Sequence, residues 1–86
     1  MKNQITKGDI GKLFKRTMPG SKSIIASPHY LRVKEVEEID GYPYRYICDI
    51  IRPGCDIARG ASYCNMSLTY EEVGELEVLV VCGVVI

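Results

Sequence analysis

The chain has no tryptophan, one phenylalanine and one histidine. A lone histidine leaves little room for imidazole-based catalysis. His29, between Pro28 and Tyr30, reads as a structural or surface residue, and no local signature ties it to a cysteine nucleophile. The four cysteines, Cys48, Cys55, Cys64 and Cys82, include no closely spaced pair of the kind that zinc sites use. Cys48 and Cys82 lie in apolar stretches and read as core. Cys55 and Cys64 lie in a polar stretch and are expected as free thiols, a disulfide or zinc role being the lesser reading. Net charge is zero. The longest apolar run, Val78 to Ile86, is far short of the roughly 20 residues that a membrane span needs. Met1-Lys2-Asn3-Gln4 opens no apolar leader, so the expected location is the cytoplasm.

The absent net charge hides an uneven distribution. Residues 1–34 hold eight Lys and Arg against Asp9 alone, and residues 35–86 hold three Arg against ten acidic side chains. Such asymmetry marks either a nucleic-acid or partner surface, or two halves that fold together and cancel. With 86 residues the chain is read as one domain over 1–86.

The strongest pattern is His29 to Arg52. Two arms rich in Tyr, Ile and Val flank Asp40-Gly41, a pair suited to the positive φ of a tight hairpin turn. The alternation in the first arm slips near Lys34-Glu35, which predicts a β-bulge. In the second arm Tyr44, Tyr46, Cys48 and Ile50 share a face, and Arg45 and Asp49 mark the other as partly wet. Ile24-Ile25-Ala26 predicts a short strand before the hairpin.

Residues 7–18 are ambiguous. Thr6 as N-cap with Asp9 three residues on fits a helix start, and Ile10, Leu13, Phe14 and Met18 fall on one helical face. Gly8 and Gly11 oppose a helix. A strand over Ile10 to Arg16 is the rival, although adjacent Leu13 and Phe14 spoil its alternation. Pro53 to Asn65 is turn-rich and reads as a loop. Ser67 to Glu75 carries the capping pattern Thr69 with Glu72 and predicts a short helix. Leu76 to Ile86, apolar on both faces, predicts a final central strand.

This element order, with Lys7-Gly8-Asp9-Ile10-Gly11 at its start, resembles small SH3-like barrel modules. The resemblance implies a curling five-stranded sheet with a short helical turn before the last strand. The expected fold is therefore mainly β, a small SH3-like barrel or curled antiparallel sheet with a central hairpin. The alternative is α+β with an N-terminal helix.

Met18-Pro19-Gly20-Ser21-Lys22-Ser23 lacks the spacing of a phosphate-binding loop, although Ser21, Lys22 and Ser23 could meet an anion. The cluster Glu35, Glu37, Glu38 and Asp40 reads as solvated surface. No catalytic constellation, cofactor site or metal site is assigned, so the expectation is a non-enzymatic protein-interaction or regulatory module. Its small size suits a phage- or mobile-element-encoded inhibitor of a host protein. Tyrosine, six copies, supplies the expected partner surface, Tyr42, Tyr44 and Tyr46 beside Glu37, Glu38 and Asp40, the rival reading being that Tyr44 and Tyr46 are core. The alternative is a small β-barrel that binds nucleic acid through Lys12, Lys15, Arg16 and Lys22, with Tyr30 stacking on a base. The apolar C-terminal strand predicts a homodimer.

Overall fold

The computed structural model describes residues 2–17, 29–65 and 69–85. Five antiparallel strands form one sheet that is not closed, in the order β4-β3-β2-β1-β5. β1 is Leu13–Thr17, β2 Tyr30–Ile39, β3 Tyr42–Ile51, β4 Ala58–Cys64 and β5 Thr69–Val73. A 3-10 turn at Lys7–Asp9 precedes them and one helix, α1 over Glu75–Cys82, follows.

The β2–β3 hairpin forms as its sequence dictates. Asp40 at φ 52° and Gly41 at φ 80° make the two-residue turn, a conformation whose twist matches that of the flanking strands. The bulge falls where the alternation slips: Val33 pairs with Cys48 and Glu35 with Ile47, leaving Lys34 extra. Residues 24–26, read as a strand, lie outside the described residues.

At the N-terminus both sequence readings hold in part. Thr6 and Asp9 do cap a turn, since Asp9 Oδ2 accepts from the Thr6 amide at 2.9 Å and from its hydroxyl at 3.1 Å. The turn stops after Asp9, and Gly11 at φ 90° redirects the chain into β1. A long helix over 7–18 is thus excluded. Adjacent Leu13 and Phe14 do not spoil the strand, because both faces of the sheet are covered and both side chains are buried.

One face carries Phe14, Leu31, Val33, Val36, Tyr46, Cys48 and Tyr70, closed by Ile5. The other carries Leu13, Tyr30 and Ile51, closed by Val78 of α1. β5 returns to β1 through five residue pairs, from Leu13 with Val73 to Thr17 with Thr69. The N-terminal segment then pairs with the outer side of β5, Lys2 and Tyr70 exchanging backbone hydrogen bonds of 2.9 and 2.8 Å.

Three expectations for the C-terminal half are overturned. Ala58–Cys64, read as loop, is a strand. It is an edge strand of small and polar residues, and only Ala61 and Tyr63 pack on the core, so it shows no apolar alternation. Thr69–Val73, read as helix, is a strand. Its capping pattern is local, and pairing along all of β1 outweighs it. Leu76 to Ile86, read as strand, instead supplies most of the helix Glu75–Cys82. Gly74 stands at its N-cap, and Gly83 at φ 78° closes its C-terminus by donating to the Leu79 carbonyl at 2.8 Å. Glu75 and Glu77 in the first turn suit the positive end of the helix dipole. The helical turn implied before the last strand thus comes after it.

Candidate interaction surfaces

The hairpin end is an apolar knob with an acidic rim. Ile39 and Tyr42 face each other across the strands and stay 58% and 53% exposed. Gln4 Nε2 donates to the Tyr42 hydroxyl at 2.8 Å, bracing the ring against the N-terminal segment. Asp40 sits in the turn, and Glu38 pairs with Lys7 at 3.2 Å. Behind them Glu37 accepts from the Tyr44 hydroxyl at 2.7 Å and from Arg45 at 2.9 Å. The Tyr44 hydrogen bond and then the Arg45 guanidinium hold the Glu37 carboxyl below its ordinary range, and the same carboxylate raises the Tyr44 phenol.

Tyr46 does not belong to this surface. It is fully buried, its hydroxyl accepts from Tyr70 at 3.0 Å, and the two rings meet edge to face with centroids 5.7 Å apart. Of the six residues read as a partner surface, Tyr42, Asp40 and Glu38 present themselves, Tyr44 and Glu37 bind each other, and Tyr46 is core.

The alternative basic set does not assemble either. Lys15 and Arg16 are neighbours on β1 and so take opposite faces of the sheet. Arg16 lies over the Tyr63 ring, 4.4 Å from its centroid. Lys12 is held between Asp9 at 3.9 Å and Glu72 at 3.7 Å. Tyr30 is 2% exposed and donates to Glu77 at 2.9 Å, so no base can stack on it. Burial and the Glu77 carboxylate push its phenol up to about 12. Lys22 and the Ser21-Lys22-Ser23 stretch lie outside the described residues.

Two features escaped the sequence reading. The first is the outer side of α1. Of the helix only Val78 is fully buried, while Leu76 and Val80 are 73% and 74% exposed and Leu79 and Val81 are exposed as well, as is Val84 just beyond it. The run had been read as a doubly covered strand, so a one-sided helix was not expected.

The second is an open groove of about 520 Å³ lined by Ile10, Gly11, Arg32, Val33, Lys34, Asp49 and Arg59. Asp49, read as facing water, has a side chain only 1% exposed. It accepts from the Gly60 amide at 3.1 Å and pairs with Lys34 at 3.1 Å and Arg59 at 3.7 Å. Burial would raise its carboxyl, but the Gly60 amide and the two cations outweigh burial and hold it below its ordinary value.

Cys55 and Cys64 are exposed free thiols, and Cys48 is a buried one whose thiol burial pushes up to about 11. Among the described residues no group of three or more His, Cys, Asp or Glu could hold a metal ion, and no helix is long and apolar enough to cross a membrane. No protein-family model, curated protein or solved structure matches the chain.

Proposed function

We propose that the chain is a non-enzymatic protein-interaction module of the cytoplasm, acting as a homodimer. The distribution of exposed apolar side chains carries this reading. Among the described residues the exposed large hydrophobics are Ile10, the hairpin-end pair Ile39 and Tyr42, the α1 group Leu76, Leu79, Val80 and Val81, and Val84 just beyond the helix. Single exposed hydrophobics are ordinary, but contiguous patches mark interaction sites.

The hairpin end is the surface for a foreign protein. Its knob fits an apolar pocket, and Glu38 and Asp40 favour a basic rim around that pocket. α1 is the surface for a second copy. Leu76 and Val80 stand four residues apart on the helix, along the row by which two helices interdigitate, and Val84 follows just beyond Gly83. The exposed α1 side chains offer on the order of 400 Å² per copy, in the range of the largest patches on ordinary monomers. Two such patches, with the side chains that flank them, approach the lower end of stable interfaces, about 1,200 Å² in total. Within this reading, small size and the lack of a catalytic constellation suit a phage- or mobile-element-encoded inhibitor that occludes a host protein. A four-strand meander with its fifth strand returned to the first supports kinship with small SH3-like modules.

The scattering of Lys12, Lys15, Arg16 and Tyr30 weighs against the nucleic-acid reading. Two measurements test the proposal. Light scattering on the eluting protein at tens of micromolar should give the mass of two chains, and a one-chain mass removes the homodimer. Capture from host lysate should retain a partner that Tyr42→Ala loses. Equal recovery by both proteins removes the hairpin end.

A further inference from the structure

The groove beside Asp49 is built by two irregularities of the sheet that meet at one point. On β2 the extra residue is Lys34, left unpaired between Val33 and Glu35. On β4 the register slips between the pairs Cys48 with Ala61 and Ile50 with Ala58, so Arg59 and Gly60 both stand opposite Asp49. Gly60 is at φ 71°, the left-handed conformation that a glycine bulge uses. Bulges re-aim side chains, and they concentrate beside functional sites. Here one bulge sends an ammonium and the other a guanidinium to the same carboxylate on the strand between them.

A carboxylate needs one counter-charge, and Asp49 receives two cations and an amide hydrogen. One positive charge is therefore in excess at the groove. Neither cation is spent by the contact. The Lys34 and Arg59 side chains remain 49% and 64% exposed, and Arg59 stands 3.7 Å from the carboxylate, beyond hydrogen-bond distance. Its planar fork keeps donors for a second oxyanion. Asp49 thus anchors the Lys34 ammonium by a 3.1 Å contact and draws the Arg59 guanidinium toward the same carboxylate.

Ile10, Gly11 and Arg32 form a further wall of the groove. Ile10 is 48% exposed at the lip. Arg32 holds that wall by donating to the Gly11 carbonyl at 2.6 Å and to Glu75 of α1 at 2.9 Å. A pair of cations and an exposed aliphatic side chain thus line one open groove.

We propose that this groove binds a small organic oxyanion, an apolar body bearing a phosphate or a carboxylate, with the anionic end on Lys34 and Arg59 and the body against Ile10. Such sites are mostly apolar with a few fixed polar groups, and they run from about 300 to 1,000 Å³. The groove falls within that span. Both cations accept either anion, and the Arg59 fork meets either one through paired hydrogen bonds.

Titration of the full chain with phenyl phosphate, benzoate and inorganic phosphate, followed by amide resonances, tests the site. Saturable shifts at Gly11, Lys34 and Gly60 are expected, and the stronger of the first two ligands identifies the preferred anion. Arg59→Gln should weaken binding about tenfold, the loss of a charge-assisted pair. Its spectrum should otherwise match the native one, since the side chain is largely exposed. Ile10→Ser should weaken phenyl phosphate and leave inorganic phosphate unchanged. Shifts that never saturate, or equal affinity in Arg59→Gln, would overturn the site. Arg45→Gln, at the hairpin, should bind as the native chain does, and a loss there equal to that of Arg59→Gln would also overturn it.

Discussion

The two faces of the sheet are closed in different ways. One is sealed by the side chains of the sheet itself, with Ile5 laid across them, and within it the Tyr70 hydroxyl donates to that of Tyr46. The other is sealed by an eight-residue helix that contributes one fully buried side chain, Val78. Beside that helix the same face buries a charge, Asp49, and leaves a groove open. A sheet can complete its own core where long side chains converge. Where it relies on a short apolar helix, it gains a lid whose outer side is as apolar as its inner side. A helix apolar all round is normally buried, so the second face ends in an unfinished surface, and both the proposed self-association and the groove belong to it.

The largest effect should come from the sealed face. Phe14 is fully buried, with the Lys2 ammonium 5.9 Å from its ring centroid. Phe14→Ala should cost about 3–5 kcal/mol, the usual loss for a buried aromatic that leaves a cavity. Val78→Ala on the helix should cost less, about 2 kcal/mol, because fewer buried atoms are removed. Urea denaturation of the two variants under one set of conditions measures both. If the valine change cost as much as the phenylalanine change, the helix would be integral to the core and the contrast between the faces would collapse.

The same contrast governs how far the sequence could be read. The hairpin was legible because Asp40-Gly41 and the Tyr and Ile pattern around it are local signals that agree with the fold. The bulge at Lys34 was legible for the same reason. β5 and α1 were exchanged in the reading because their signals are local and their outcome is not. Thr69 and Glu72 spell a helix cap, yet the segment completes a pairing with β1, over fifty residues away in the chain. Val78 to Val81 favour a strand on propensity, yet one side of Leu13, Tyr30 and Ile51 needs a lid. Tertiary demand overrides β-propensity in such runs. Of the expected partner surface, Tyr42 could be placed from the turn beside it. Tyr46 could not, since its burial depends on Tyr70 arriving from β5. The groove was invisible for a similar reason: Lys34, Asp49 and Arg59 come from three strands, and only the second slip, at Gly60, brings the last of them over the carboxylate.

Asp49 gives the next prediction, smaller and dependent on pH. Asp49→Asn keeps an oxygen for the Gly60 amide and removes the charge facing Lys34 and Arg59. The loss should be about 1.5–3 kcal/mol at neutral pH, the range for hydrogen bonds to charged groups. The folded carboxyl titrates below its ordinary value of 3.8. In the unfolded chain it therefore takes up its proton first as pH falls, and acid favours unfolding. Its stabilisation is fully present above that ordinary value and disappears as pH drops through the folded one. Native and variant stability curves should run apart at pH 7 and converge in acid below about pH 3.8. Parallel curves through that range would mean that the buried charge is not what the two bulges serve. Asp9 and Glu37, also held low, keep an acid-dependent decline in the variant itself, so the comparison rests on the difference between the curves.

The smallest effect should come from the outer side of α1, and its size should depend on concentration. Val80 is 74% exposed and makes no core contact. In a single chain, Val80→Ser should change stability by no more than about 0.5 kcal/mol, as surface substitutions do. Serine and valine have about the same helix propensity, so propensity adds little. If two copies pack through Leu76, Val80 and Val84, the native protein gains stability from association, and that gain grows with protein concentration. A serine hydroxyl at the centre of the contact would be desolvated without a partner, which opposes association. The melting temperature of the native chain should therefore rise from low micromolar to high micromolar protein, and that of Val80→Ser should stay flat. The two should coincide at the dilute end. A difference already present there would place Val80 in the fold of the single chain. Identical rises in both proteins would move the self-association surface away from α1, leaving the unfinished face of the sheet without the occupant assigned to it.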